Sequence, residues 1–578
     1  MARAPALQAG GPGFESPHLH HVLELNKQNK SIGINMNKIA HYLQNHLRGE
    51  VMDSKDARIY FANDNSILTL TPTIIAYPKN ENDVRKAARF SWQLAERGRL
   101  LPITSRGSGT DQTGAAIGNG LILVFPAHMN KLVDLDSKNG VATVEPGMNF
   151  GKLQQSLKTH GLFLPAYPSS LEYSTIGGAI GNNAGGEKSV KYGDTRESVK
   201  SLRVVLANGE VIETKLLNKR ELKNKLGLTT FEGEIYRSLD ALLEENKELI
   251  KTTELAVSRN GAGYDLRGVI TKKGFDLTPL IVGSQGTLGI VTEATLTATN
   301  YSEDTSLTVG FFDGLGELQE ALNELKSLPE SPSEIEIVDE QFLNMVNKIN
   351  PNLLKDVLPE IIPKFILFVE FDNTNDRLRR KLTKKASRIF SKYASANQME
   401  SNADSIDNIW KIRNASSVIL NHVDGNTRPL PLLEDGIVPV ERLADFVDKL
   451  YQIFSKNHID IAIWGHAGEG NLHIQPFLDL AVVGDRQKVF RMMEEYYSMI
   501  IEMGGSTSSS YNDGRLRSLY LERLYGKDAY DLMIRIKNIF DPHNILNPGV
   551  KVNTKVDDVK NMLRQEYIRG FNGFLPKS

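Results

Sequence analysis

Residues 168–193 read PSSLEYSTIGGAIGNNAGGEKSVKYG, with six glycines in 26 residues and four of them in two GG pairs. Glycine at this density weakens helix and strand alike through backbone entropy. What compensates is a ligand that the backbone must approach closely, with N–H groups turned toward it. A flexible surface linker would not carry the intervening Ile176, Ile180 and Tyr192. A second loop of the same character, RGSGTDQTGAAIG, occupies 106–118. Two such loops beside apolar, strand-like runs point to one large cofactor held from two sides. Neither contains the GxxxxGK[ST] of a P-loop. Neither follows a strand as a GxGxxG that opens a helix with an acid downstream, so a Rossmann reading is weak.

The chain has 578 residues, more than one hydrophobic core holds, so two or more domains are expected. A formal net charge of -2 argues against nucleic acid as a partner. The absence of cysteine excludes disulfides, iron–sulfur clusters and cysteine-ligated zinc within the chain. No apolar run approaches the roughly 18 residues of a membrane-spanning helix. Residues 1–32 begin rich in Gly, Pro and Ala and are expected to be a disordered leader.

Strands and helices alternate over 33–300, a block that contains both glycine loops. Within it, 33–62 reads as helix, Asn82 as the cap of the next helix, and 280–282 as a strand. Asn208-Gly209 marks a hairpin between 201–207 and 210–214. Residues 301–480 predict a second α+β domain, an antiparallel sheet with helices on one face. Residues 481–578 predict a helical segment. Residues 464–473, WGHAGEGNLH, read as strand, turn, strand, which brings His466 and His473 onto neighbouring strands. Imidazoles so placed bind a divalent metal, serve as donors and base toward an anion, or simply hold the hairpin. Glu469 reads as an exposed turn residue.

The 106–118 loop, TIGGAIGNNAGG, GSQGTLGIVTE at 283–293, GHAGEGNLH at 465–473 and FDPHNILNPG at 540–549 share order and spacing with a known family. Over roughly 35–555 the chain resembles the FAD-dependent D-2-hydroxyacid dehydrogenases of the vanillyl-alcohol-oxidase superfamily. That group includes D-lactate dehydrogenases, D-2-hydroxyglutarate dehydrogenases and the glycolate oxidase FAD subunit. The resemblance implies an α+β fold: a two-subdomain PCMH-type FAD-binding domain, an α+β cap with an antiparallel sheet, and a helical C-terminal segment completing the flavin site. Arg106, Gly107, Ser108, Gly109 and Thr110 would hold the FAD pyrophosphate. Ile176, Gly177, Gly178, Asn182, Gly185 and Gly186 would line the isoalloxazine and ribityl region, with Gly286, Gly289 and Ile290 opposite. No histidine occupies the loops that tether flavin in some relatives, so the FAD is expected to be non-covalent.

By the same resemblance Arg413 would orient the carboxylate of a small 2-hydroxy acid. His466 and His473 would hold a divalent metal such as zinc or manganese that polarises the hydroxyl. Electrons would pass to a separate acceptor, a quinone, cytochrome or flavoprotein, and the enzyme is expected in the cytoplasm or peripheral at a membrane. The sequence also departs from the family pattern. Ser510 stands where a metal-binding glutamate is expected and Tyr511 where a histidine base is, so the third metal ligand is missing. Leu433 replaces a carboxylate-binding lysine, and Gln285 replaces a glutamate, a change expected to be mild. Three outcomes follow. Tyr511 or His473 acts as the base without a tightly bound metal; the substrate differs, as in the ether-lipid synthases; or dehydrogenase activity is lost.

Overall fold

The computed structural model describes residues 37–359 and 361–565; the leader expected over 1–32 lies outside them. The apolar runs Ile74–Tyr77 and Leu121–Val124 are buried at every position, as strands covered on both faces must be. They pair in parallel, with Ile103–Arg106 parallel beyond and Glu50–Met52 antiparallel at the other edge. The helix expected over 33–62 is two helices, Lys38–His46 and Lys55–Tyr60, with the strand Glu50–Met52 between them. The chain leaves the first helix at Leu47, which is extended, and at Gly49 it runs so close to Tyr77 that a Cβ would lie 1.8 Å from the Tyr77 carbonyl oxygen. Asn80, not Asn82, caps the helix Glu81–Glu96.

A second sheet is antiparallel throughout, in the order Leu132–Asp136, Val141–Val144, Ile290–Thr297, Val199–Val205, Val211–Thr214. Its last two strands form the hairpin that turns at Asn208-Gly209. The strand expected at 280–282 is instead the end of a short helix, Thr278–Ile281, with Pro279 in its first turn. Proline is at home there, because the first helical N–H groups have no partner inside the helix. The glycine-rich stretch itself contains a helix, Ile176–Asn182, capped by Thr175. Ile176, Ala179 and Ile180 anchor it in the core, leaving its glycines on the other side.

The third sheet has six antiparallel strands, in the order Ala396–Glu400, Ser306–Phe312, Phe365–Phe371, Glu334–Asp339, Trp464–His466, Asn471–His473. Helices cover both faces rather than one, because its central strands are apolar on both sides. Leu315–Lys326 and Asp376–Tyr393 pack on the face of Ile335, Leu367 and Val369. Glu340–Ile349 and Ala403–Asn414 pack on the face of Val338, Phe368 and Trp464. That second face changes character along its length: beyond Val338 and Phe368 it carries Glu336, Glu334 and Glu370. The last part of the chain then returns to the first sheet. Ile103 N donates to Ile545 O at 2.7 Å, and Asn547 N donates to Ile103 O at 2.8 Å.

Candidate flavin and hydroxy-acid site

A solvent-open cleft separates the two glycine loops. Arg106, Gly107, Ser108, Gly109 and Thr110 line one wall, Gly177, Gly178, Gly181 and Asn182 another, and Gln285, Gly286 and Gly289 a third. Ser510 and Tyr511 contribute from the C-terminal region. The glycines divide into two kinds. Gly107 and Gly177 are imposed by packing, since a Cβ would meet Thr175 Oγ1 at 2.2 Å and Pro146 Cβ at 2.7 Å. Gly181 has nothing nearer than 4.0 Å, and Gly178 only Thr175 Oγ1 at 3.2 Å. Protein packing does not require glycine at those two helical positions, so the empty side is space for a ligand. The buried Ser105 and Ser174 hydroxyls on the cleft wall have no hydrogen-bond partner among the described residues. The arrangement fits a flat, anionic cofactor.

Four expected cofactor residues lie off the cleft. Ile176 is buried in the core beneath its helix, and Ile290 in the core of the first sheet. Gly185 and Gly186 are packing glycines: a Cβ would lie 1.7 Å from Arg259 Nη1 and 2.1 Å from Tyr167 O. Arg106 folds back under its own loop, donating from Nη1 to Ala116 O at 3.1 Å. Gln285 is more than a mild change. Its amide donates to Asn182 Oδ1 at 2.9 Å and accepts from Gly514 N at 2.7 Å. A glutamate carboxylate could not do both.

Arg413 ends the helix Ala403–Asn414 and is buried beneath it. Its Nε lies 2.7 Å from Glu336 Oε2, and this is its one side-chain hydrogen bond among the described residues. The other Glu336 oxygen lies 2.6 Å from His466 Nδ1. Burial would raise the Glu336 carboxyl, but His466 and Arg413 outweigh it and hold it down at about 2. Burial pushes the His466 imidazole down to about 4, against the pull of Glu336. His473 Nδ1 lies 2.9 Å from Glu434 Oε2, and the two imidazole rings meet edge to face at 5.1 Å. A carboxylate on each Nδ1 fixes the Nδ1–H tautomer and leaves both Nε2 lone pairs free.

The serine-rich turn is built around Asp435, which accepts from Ser510 N at 2.6 Å, Tyr511 N at 2.8 Å and Ser508 Oγ at 2.7 Å. This holds the Tyr511 ring 6.2 Å from that of His473. Burial, with Glu434 and Asp435 nearby, pushes the Tyr511 phenol above its ordinary range. Leu433 is fully buried in the core.

Glu469 corrects an expectation: it is 1% exposed and lies 2.6 Å from Arg259 Nε. Its turn is covered by the 253–268 loop, from which Ser258 Oγ donates to Glu469 O at 3.2 Å. The two histidines do not fit a resident metal. Ser510, at the third position, accepts from Arg259 Nη1 at 2.8 Å, so a guanidinium occupies that side. Among the described residues no group of three or more histidine or acidic side chains could hold a metal ion.

Two family models match the chain. A FAD binding domain covers 72–215, and a FAD linked oxidases C-terminal domain covers 302–550. The chain thus carries a FAD binding domain and the C-terminal domain of FAD linked oxidases, and FAD is the cofactor its cleft is built for. It is 28% identical over 530 residues to a D-2-hydroxyglutarate dehydrogenase of Pantoea ananatis, covering 89% of this chain and 51% of that one. It therefore spans about half the length of the D-2-hydroxyglutarate dehydrogenases it matches. Glycolate oxidase subunit GlcD of Bacillus subtilis is 29% identical, covering 83% of this chain and 88% of that one. A solved alkyldihydroxyacetonephosphate synthase superposes with a TM-score of 0.57 at 17% identity, covering 94% and 88% of the two chains. That likeness is one of fold. No helix among the described residues is long and apolar enough to cross a membrane.

Sequence reading missed Glu336, Glu434, Asp435 and Arg259. The alternating Glu334-Ile-Glu336-Ile pattern was the one available signal, and it reads equally as a solvated sheet face.

Proposed function

We propose that this chain oxidises a small D-2-hydroxy acid, D-lactate-like in size, to the 2-oxo acid. The observation that carries this reading is the pair of carboxylate-oriented imidazoles, set with Arg413 beside a flavin cleft. The names of its relatives point the same way.

Arg413 binds the substrate carboxylate through its two Nη groups, while Glu336 fixes the plane of the guanidinium. His473, held by Glu434, takes the hydroxyl proton at Nε2. His466, neutral above about pH 4, accepts a hydrogen bond at its own Nε2. Tyr511 keeps its proton and acts as a donor. The bound flavin supplies the hydride acceptor at N5. The backbone of Arg106–Thr110 faces its pyrophosphate, Gly177, Gly178 and Asn182 its ring and ribityl chain, and Gly286 and Gly289 the opposite side. Among the described residues no histidine lines the cleft, which supports non-covalent binding. We assign 33–300 to FAD, 301–480 to the substrate cap and 481–578 to completing the flavin site. The electrons go to a separate quinone, cytochrome or flavoprotein, in the cytoplasm.

Anaerobic titration of the FAD-loaded protein with D-lactate, D-2-hydroxyglutarate and glycolate tests this. Bleaching of the visible flavin band by one acid supports the reading and names the substrate. A flavin that no 2-hydroxy acid bleaches overturns it.

A further inference from the structure

Lys188 stands two residues beyond the second GG pair, immediately before the one-turn helix Ser189–Tyr192. Its side chain leaves the flavin stretch and crosses to the cap sheet. Nζ lies 2.8 Å from Glu334 Oε1 and 2.9 Å from Glu370 Oε1, with Asp372 Oδ2 at 3.5 Å. Lys191 and Tyr192 reach the same aspartate, the ammonium at 2.5 Å from Oδ1 and the phenol donating to Oδ2 at 3.0 Å. Glu334 and Glu370 are paired across neighbouring strands, and both are buried. Two buried carboxylates side by side repel, so the ammonium between them is what lets the strands keep them there. Both carboxylates lead on to the substrate groups. Glu334 is two residues from Glu336 on the same strand face, and Glu336 holds both Arg413 and His466. Glu370 accepts from Trp410 Nε1 at 3.2 Å, and Trp410 lies one turn before Arg413 on the same helix. Upstream of Lys188, Gly181 and Asn182 line the flavin cleft. Lys188 thus joins the wall of the cleft to both supports of the arginine.

We propose that Lys188 is a positioning residue for the reaction: it clasps the cap sheet to the flavin stretch and so sets the reach from Arg413 and the two histidines to the flavin. Its kinetic consequence rests on the hydroxy-acid reading. In that reading the acid is held mainly by cap groups, Arg413 at the carboxylate and the imidazoles at the hydroxyl. The flavin is held by the other part of the chain. Hydride passes between the two, so the clasp acts on the gap between the substrate C2 and the flavin. A misplacement of about 1 Å there costs on the order of 100-fold in rate while each partner stays bound.

The test has two arms, and the first needs no substrate. Among the described residues no member of the helix Ala403–Asn414 lines the cleft, so FAD reaches that helix only through the protein. Adding FAD to the apoprotein should slow amide hydrogen exchange over 403–414 in the parent and in Lys188→Arg. In Lys188→Met the slowing should stay within the cleft loops. Equal slowing of the helix in Lys188→Met, or none in the parent, would overturn the proposal. The second arm follows anaerobic flavin reduction. Lys188→Met should cut the limiting rate about 10- to 100-fold with KM within about threefold, and Lys188→Arg should recover most of the loss. Lys188→Met also strands two buried carboxylates, which lowers stability for that reason alone. The charge-matched variant Lys188→Met, Glu334→Gln should therefore regain most of the parent Tm yet stay slow. A reduction rate that returns with the Tm would make Lys188 merely structural and overturn the proposal. A flavin that no hydroxy acid reduces would instead sink the function above, and the exchange arm would still decide on Lys188.

Discussion

Arg413 and Glu336 form a buried ion pair, Nε to Oε2 at 2.7 Å, in which the carboxylate has no exposed surface. Removing the guanidinium leaves that carboxylate charged, with the His466 Nδ1–H as its remaining partner. Arg413→Gln should lower kcat/KM for the acid by about 2–5 kcal/mol, and should also lower stability, because one half of a buried pair is destabilising without the other. Glu336→Gln keeps a hydrogen-bond acceptor for Arg413 and should lose less stability. Steady-state kinetics and denaturant melts on both variants separate the two effects. An unchanged kcat/KM in Arg413→Gln would remove Arg413 from the site.

Gly181 and Gly185 lie in the same glycine-rich stretch and should answer alanine in opposite ways. Gly181 is helical with open space beside it, so Gly181→Ala should leave the apoprotein as stable or up to about 1 kcal/mol more stable, yet weaken FAD binding. Gly185→Ala drives a methyl into the Arg259 guanidinium and should destabilise the apoprotein itself. Flavin titration beside apoprotein melting reads both.

The His466 imidazole is held down to about 4 in the folded protein, from an ordinary 6.5. Between those values the unfolded chain binds the extra proton, so this group's contribution lowers folding stability as pH falls from 6.5 toward 4 and is silent above 6.5. The parent should therefore lose stability relative to His466→Gln across that window, by roughly 3 kcal/mol at its acid end. Paired denaturant melts from pH 4 to 7 (about one unit apart) check the slope; parallel curves would mean that the imidazole is not held neutral.

Tyr511 and His473 stand side by side as candidate bases, and the raised phenol favours His473. Tyr511→Phe should keep anaerobic flavin reduction within about tenfold, while His473→Gln should lose about 10²–10⁴-fold. The reverse order would make Tyr511 the base.

The glycine loops, the hairpin histidines and Arg413 are legible in the sequence because each sits in a short motif with its own spacing. Their partners are not. Glu336 meets His466 across 130 residues, and Arg259 meets Ser510 across 251. Nothing local marks a glutamate on an alternating strand as buried until the opposing helix is known. The same limit explains Glu469: its turn looks exposed until the 253–268 loop lies across it. Glycine density announces a close approach, but only the space beside each Cα separates Gly181, open toward the cleft, from Gly185, pressed against an arginine.

The return of residues 541–549 to the strand Ile103–Arg106 sets an order of events during synthesis. That strand leads into the first cofactor loop, and Asn547 reaches across to Ala115 O at 2.9 Å and Gln285 O at 2.8 Å. The loop's neighbour is therefore made more than four hundred residues after the loop itself, a separation of 432 for the Ala115 bond. Contacts so remote in sequence form late and slowly. A ribosome must translate nearly all of the described chain before the flavin has a finished berth, so a nascent chain stalled before residue 541 should emerge colourless.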